Sequence, residues 1–149
     1  MTACDGNDAR RDWLAVLARA SRQALEQAAA RVDAPEGETV RAAECGMVML
    51  RGRVGGTGEG FNLGEASVTR GAVRIGAALG VGYALGRDRR KAVLIAVFDA
   101  LLQDDSRRSG LMREVIEPLR EEQAARHENE SRRTASSRVD FFTMVRGEA

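Results

Sequence analysis

The residues best suited to chemistry form a glycine-rich segment with arginines on both sides of it. Residues 55–60 read Gly-Gly-Thr-Gly-Glu-Gly, and they lie between two strand-like runs that each carry two arginines. Glycine allows unusual backbone angles, so such a loop can turn its N–H groups toward an anion, and arginine binds phosphate or carboxylate through paired hydrogen bonds. The pattern predicts contact with phosphate or with a partner protein at Arg51, Arg53, Gly55, Gly56, Thr57, Gly58, Glu59, Arg70 and Arg74.

Two interpretations of this loop remain open. It lacks the Lys-Ser/Thr ending of the common P-loop, and it joins two strands rather than a strand and a helix, which argues against a dinucleotide fingerprint. The loop is therefore either a structural turn or interface, or a backbone nest in direct contact with a phosphate group.

Other residue types with catalytic or metal-binding chemistry are scattered. His127 is the one histidine of the chain, and Cys4 and Cys45 are far apart in the sequence. This spacing does not match a metal-ligand cluster, and no serine or cysteine has an evident base beside it. The sequence thus predicts no catalytic residue, no metal and no cofactor bound by this chain alone.

Composition predicts one soluble domain over residues 1–149, with a disordered N-terminus at residues 1–7. Hydrophobic residues make up 44% of the chain and charged residues 30%, with a formal net charge of +1. The interspersed charges argue against binding of nucleic acid, and no apolar run is long enough to span a membrane. Two separated cysteines predict no structural disulfide, which fits the cytoplasm.

Hydrophobic periodicity predicts an α+β fold: an antiparallel sheet of about four strands packed with helices. Apolar residues at three- and four-residue spacing predict a helix over residues 8–32, begun by Asn7 or Asp8. Strict alternation predicts strands over 46–54, 65–75 and 81–85, with Gly46 as a possible break or bulge. The first strand is expected to be half-buried, with Met47, Met49, Arg51 and Arg53 on its outer face.

The second half of the chain is predicted to be mainly helical. Asp88 is expected to cap a helix that reaches Gln103 and is apolar almost all round, so it should be covered on more than one side. A further helix starts near Ser109, and Pro118 should end or kink it. The polar tract of residues 121–133 is either a solvated helix or a segment that orders against a partner.

Residues 138–146 form the predicted C-terminal strand. Apolar side chains lie on both of its faces, so a single covered face would leave others in water. The strand should therefore join this chain's own sheet or dock on another subunit. The residues predicted to bind a partner are Val139, Phe141, Phe142 and Met144.

Four segments together closely resemble the PhnG family. They are the run Arg-Ala-Ala-Glu at 41–44 with the following glycine, Arg-Val-Gly-Gly-Thr-Gly-Glu at 53–59, Gly-Arg-Asp at 86–88, and Ser-Arg-Val-Asp-Phe-Phe-Thr-Met-Val-Arg-Gly at 137–147. The family is the small G subunit of the bacterial carbon–phosphorus lyase core complex. The likeness covers most of the chain.

This resemblance implies a place in phosphonate breakdown. With the H, I and L subunits, the G subunit is needed to replace the adenine of ATP by methylphosphonate, which gives α-D-ribose 1-methylphosphonate 5-triphosphate. The core complex would hold two copies each of G, H, I and J. ATP would be a substrate of the assembled complex. The J subunit would carry the radical chemistry, so this chain would be a complex subunit that is not catalytic alone.

Two other classes of function stay open at this point. The chain could be a free-standing anion- or nucleotide-binding enzyme that uses the glycine-rich loop, or a pure scaffold subunit without ligand contact. Turnover of ATP by the lone chain would favour the first, and a complex without ligand-dependent protection of this chain would favour the second.

Overall fold

The computed structural model describes residues 3–136, and their side chains from residue 7 onward. The helices are α1 (Ala3–Arg19), α2 (Arg22–Arg31), α3 (Arg89–Leu102), α4 (Asp105–Leu111) and α5 (Glu117–Ser136), and the strands are β1 (Glu38–Arg53), β2 (Gly60–Ile75) and β3 (Ala78–Leu85). A short 3-10 turn, Val54–Gly56, joins β1 to β2, and a wide π-helical turn, Met112–Ile116, joins α4 to α5. The predicted α+β class is confirmed.

The sheet is an antiparallel meander in the order β1-β2-β3. Within residues 3–136 it has three strands, and the C-terminal strand predicted at 138–146, with Val139, Phe141, Phe142 and Met144, lies outside the described residues. The strands differ in length: β1 and β2 have 16 residues each, and β3 has eight. Pairing of β2 with β3 ends where Val68 lies opposite Leu85, so β1 and β2 continue beyond that point as a two-stranded ribbon.

Helix α3 packs directly on one face of the sheet. Two glycines of β3, Gly80 and Gly82, lie against the α3 backbone at Ala92, Ala96 and Ala100. Ten of the 14 residues of α3 are buried, which confirms the prediction that this helix is covered on several sides. Asp88 caps it as predicted, because its carboxylate accepts the Lys91 backbone N–H at 2.9 Å.

The core lies between α3 and the helices that surround it. Helices α1 and α2 pack on α3, and the region from α4 to α5 closes the remaining side. The largest fully buried apolar side chains are Phe98, Leu17, Leu25, Ile95, Leu102, Ile116, Val73 and Val115. Aromatic residues make up 4% of the sequence, and aliphatic packing dominates this core.

The N-terminal helix differs from its prediction at both ends. It begins at Ala3, so Asn7 and Asp8 lie within it rather than at its cap, and residues 3–7 are helical where disorder was expected. It ends at Arg19, and a second helix starts at Arg22. The reason is Ser21, whose side chain accepts the Ala24 N–H at 3.1 Å and so caps α2 instead of joining an apolar stripe.

Pro118 does not end the helix in which it lies. It is the second residue of α5, immediately after the wide turn Met112–Ile116. A proline removes one N–H donor and its ring crowds the carbonyl four residues earlier, and a π-type turn is a known way to accommodate such a break. The helical path therefore widens before Pro118 and continues to Ser136, so the polar tract of 121–133 is helical.

Candidate interface: the exposed two-stranded arm

Residues 47–67, which we call the arm, form the ribbon of β1 and β2 beyond the end of β3. Met47 lies opposite Ser67 at its root, and Arg53 lies opposite Gly60 near its tip. At about 3.3 Å per residue, the seven residues from 47 to 53 extend about 20 Å. The arm therefore projects from the body of the molecule rather than lying within the sheet.

Both faces of the arm carry exposed apolar side chains. Met47 and Met49, on one face, are 65% and 60% exposed, and Val48 and Leu50 are exposed on the other. The half-buried strand predicted here is wrong, because β3 ends at Leu85 and does not reach this part of the ribbon. The exposed large apolar residues of the arm are Met47, Val48, Met49, Leu50, Val54, Phe61 and Leu63.

The glycine-rich loop forms the turn at the tip of the arm. Gly55 and Gly56 adopt φ angles of +59° and +83°, which side chains disfavour. A Cβ on Gly58 would lie 2.7 Å from the Val54 carbonyl oxygen. That carbonyl also accepts the N–H groups of Thr57 and Gly58, the latter at 2.8 Å. The geometry of the turn thus explains why glycines are needed at these positions. The turn also uses two of the loop's N–H donors internally, and this favours the structural interpretation of the loop. Contact with phosphate stays a prediction.

The four arginines predicted to act with this loop do not form one cluster. Arg51 and Arg53 lie near the arm tip, where Arg53 donates to the Gly58 carbonyl at 3.3 Å. Arg70 lies in the body of the sheet and pairs with Glu44 at 2.9 Å, and Arg74 lies still farther along β2. The ten residue-to-residue steps from Gly60 to Arg70 span about 33 Å of strand. A single small anion therefore cannot contact all four guanidinium groups in this conformation.

A cysteine and two arginines meet at the root of the arm, a grouping that sequence reasoning missed. Cys45 Sγ lies 3.4 Å from the hydroxyl oxygen of Thr69, which is fully buried and donates to the Gly86 carbonyl at 2.7 Å. A hydrogen bond from the Thr69 hydroxyl, formed when its proton turns from the Gly86 carbonyl to the sulfur, and the positive charges of Arg89 and Arg87 lower the pKa of the Cys45 thiol. The predicted first strand began at residue 46, so no pattern in the sequence pointed to the pairing of Cys45 with Thr69.

We expect alkylation of Cys45 to follow this lowered pKa. In a Cys4→Ser background, the rate of reaction with iodoacetamide should rise at lower pH than in the urea-unfolded chain, because the thiolate is the reactive form. Replacing Arg89 with Gln should move the profile to higher pH, since a nearby positive charge is lost. The matched control is Arg107→Gln, at an exposed position of α4. Superimposable profiles for the folded and unfolded chains would contradict the expectation.

A buried carboxylate, Asp99, joins α3 to α1 and β3. It is inaccessible to solvent and accepts the Trp13 indole N–H at 3.0 Å and the Val81 backbone N–H at 2.9 Å. Arg10 adds two hydrogen bonds, at 2.7 and 3.1 Å, and the Gln103 amide donates a longer one at 3.4 Å. Every partner is a donor from this chain, so the carboxylate is fixed in place and its geometry is that of a structural group.

The described residues meet the requirements of neither a metal site nor a membrane-spanning helix. Among residues 3–136 no group of three or more His, Cys, Asp or Glu side chains is placed to hold a metal ion. Across the same part of the chain, every helix is too short or too polar to cross a membrane.

Together, these elements define a small α+β protein whose most exposed apolar surface is a projecting β-arm. A family profile described as "Phosphonate metabolism protein PhnG" matches residues 8–147. A similar protein from Rhizobium meliloti (strain 1021), named alpha-D-ribose 1-methylphosphonate 5-triphosphate synthase subunit PhnG, is 47% identical over 145 residues, which cover 93% of this chain and 90% of the relative. The chain belongs to the PhnG family, as the sequence resemblance predicted.

Proposed function

We propose that this chain is a subunit of α-D-ribose 1-methylphosphonate 5-triphosphate synthase and acts in phosphonate metabolism. The proposal follows from family membership and from the name of the 47% identical relative. Within it, the partners are the H, I, J and L subunits of the carbon–phosphorus lyase system, with two copies of this chain in the core complex. ATP and methylphosphonate are then substrates of the assembly, in the cytoplasm.

The structural observation that supports a role as a complex subunit is the exposed arm. A two-stranded ribbon is marginally stable in water, and an apolar surface of this kind on a folded protein marks a site of association. In the described residues, the one buried carboxylate is fully engaged in holding the fold, and the carboxylate that the Ser106 hydroxyl bonds, Asp104, caps α4. These features suit a chain that works through its neighbours, and they fit poorly with a free-standing enzyme.

Two sets of residues predicted from the sequence keep a place in this proposal. The glycine turn with Arg51 and Arg53 would contact a partner or the triphosphate-bearing nucleotide from the arm tip. The C-terminal residues Val139, Phe141, Phe142 and Met144 would contact a partner subunit. Arg70 and Arg74, farther along β2, would serve a different contact.

The test is assembly and turnover with and without this chain. The H, I, J and L subunits are co-expressed with the tagged chain, and the purified complex is supplied with ATP and methylphosphonate. Formation of ribose 1-methylphosphonate 5-triphosphate is followed by phosphorus NMR. We expect product only when this chain is present, and none from the chain alone. Comparable turnover without it would refute the proposal, and ATP turnover by the lone chain would favour the free-standing enzyme.

Nucleotide-dependent hydrogen exchange separates a subunit that contacts ligand from a pure scaffold. Addition of a non-reacting ATP analogue to the complex should slow exchange at residues 51–60 if the arm tip contacts the nucleotide. Unchanged exchange throughout this chain would favour the scaffold role.

A further inference from the structure

We propose that the arm inserts into an apolar groove with an acidic rim on another subunit of the synthase. This inference rests on the proposed function, and it identifies the surface and the chemistry of the partner. The groove would accept the apolar side chains of residues 47–67, and carboxylates at its rim would pair with arginines around the arm.

The shape of the partner site follows from the two exposed faces of the arm. Met47 and Met49 point to one side of the ribbon and Val48 and Leu50 to the other, and each of these four side chains is at least 40% exposed. A flat partner surface could cover only one face. A groove that surrounds the ribbon buries both, and methionine suits such a contact because its flexible side chain adapts to the partner.

The charge of the partner follows from the arginines at the same end of the molecule. Lys91 Nζ bonds the Ala18 carbonyl at 2.8 Å, which places the end of α1 beside the start of α3. Arg19 lines a shallow groove of about 380 Å³ with Val48 of the arm, and two arginines flank Cys45 at the arm root.

Arg51 adds a further positive charge on the arm itself. Four arginines of the arm and its root make no ion pair within the part of the chain that the structure describes. They are Arg19, Arg51, Arg87 and Arg89. The arm itself carries Arg51 and Arg53 against Glu59 and Glu65, so the positive surplus comes from the three unpaired arginines at its root. An acidic rim would satisfy this surplus, and complementary charge of this kind sets partner choice and orientation.

The same surplus argues against two other occupants. A second copy of this chain in a symmetric contact would bring identical arginine clusters together, which is repulsive. Residues 137–149 of the same chain contain two arginines, one aspartate and one glutamate, so they offer no net negative charge. Charge complementarity therefore selects a different, acidic partner.

Affinity measurements on arm variants test the apolar part. Met47→Ser with Met49→Ser removes two side chains that are mostly exposed in the free chain, so the fold should be retained, as circular dichroism would verify. We expect the affinity for the remaining synthase subunits to fall at least tenfold. Val40→Ser, at an exposed apolar position of β1 outside the arm, is the matched control and should change it less than twofold.

Charge variants test the acidic rim. Arg51→Glu should weaken assembly tenfold or more, Arg51→Lys should be close to wild type, and added salt should weaken the wild-type interaction. Arg113→Glu, outside this end of the molecule, is the control. Equal binding by Arg51→Glu and wild type would overturn the charge argument.

A photo-crosslink identifies the occupant directly. Benzoylphenylalanine replaces Met49 in the complete, co-expressed complex, and mass spectrometry maps the crosslinked peptide. A link to another synthase subunit, in a peptide with Asp or Glu near the contact, supports the proposal. A link to a second copy or to residues 137–149 of this chain overturns it. If the wild-type chain and the arm variants assemble equally well, the inference about the arm is refuted and the proposed function is not. If the wild-type chain binds none of these subunits, both the inference and the proposed function are refuted.

Discussion

Replacing Asp99 with alanine is expected to lower the free energy of unfolding by about 3–5 kcal/mol, because several donors lose their acceptor and each buried donor left unsatisfied costs about 1–3 kcal/mol. The change deletes the acceptor for the Arg10 guanidinium, the Trp13 indole and the Val81 backbone N–H. The Trp13 indole is shielded from water in the folded chain, and the Val81 N–H is partly shielded. Each unsatisfied donor adds its own desolvation cost, so several losses add in one substitution.

The measurement is urea unfolding followed by far-ultraviolet circular dichroism. Asp99→Asn keeps an acceptor oxygen but loses the charge, so its effect should lie between those of wild type and alanine. Asp105→Ala is the matched control, because the Asp105 carboxylate is exposed and its pairing with Arg108 is worth at most about 1 kcal/mol. A change of less than about 1 kcal/mol for Asp99→Ala would show that the carboxylate does not hold α1, α3 and β3 together.

Replacing either glycine of β3 with alanine is expected to destabilise the fold by about 3 kcal/mol or more. A Cβ on Gly80 would lie 2.7 Å from the Ala100 backbone nitrogen, and one on Gly82 would lie 2.9 Å from that of Ala96. Carbonyl oxygens of α3 would be closer still. Overpacking against side chains costs about 1–3 kcal/mol, but here the obstacle is helix backbone, which cannot rotate away. The helix would have to lift from the sheet.

The same urea titration provides the test, with Gly46→Ala as control. Gly46 also lies in a strand of this sheet, but a Cβ there would meet nothing within 4 Å. Its substitution should change stability by less than about 1 kcal/mol. If Gly80→Ala and Gly46→Ala had the same small effect, the close contact between α3 and β3 would not be a determinant of this fold.

Local patterns predicted those parts of the fold that depend on neighbouring residues. Alternation identified the strands, and the apolar run after Asp88 identified both the buried helix and its cap. Pairing between distant residues was beyond such reasoning. Asp99 looked like one charge in an apolar helix, and only the fold brings Arg10 to it from 89 residues away.

The candidate site shows the same limit more clearly. Sequence proximity suggested that Arg70 and Arg74 act with the glycine turn, but an extended strand carries them away from it. The alternation in β1 was predicted correctly, but the prediction that one face of this strand is buried was wrong. Burial there depends on the length of β3, which is set more than 20 residues later in the chain. No periodicity within β1 contains that information.

The arm also has a consequence for the life of the protein before assembly. Within residues 3–136, the arm carries exposed apolar side chains on a ribbon whose outer edges are unpaired. Surfaces of this kind are bound by chaperones and can start aggregation. Copies made in excess of the other subunits would therefore tend to aggregate. We expect the cell to synthesise this chain together with the other subunits and in matching amounts.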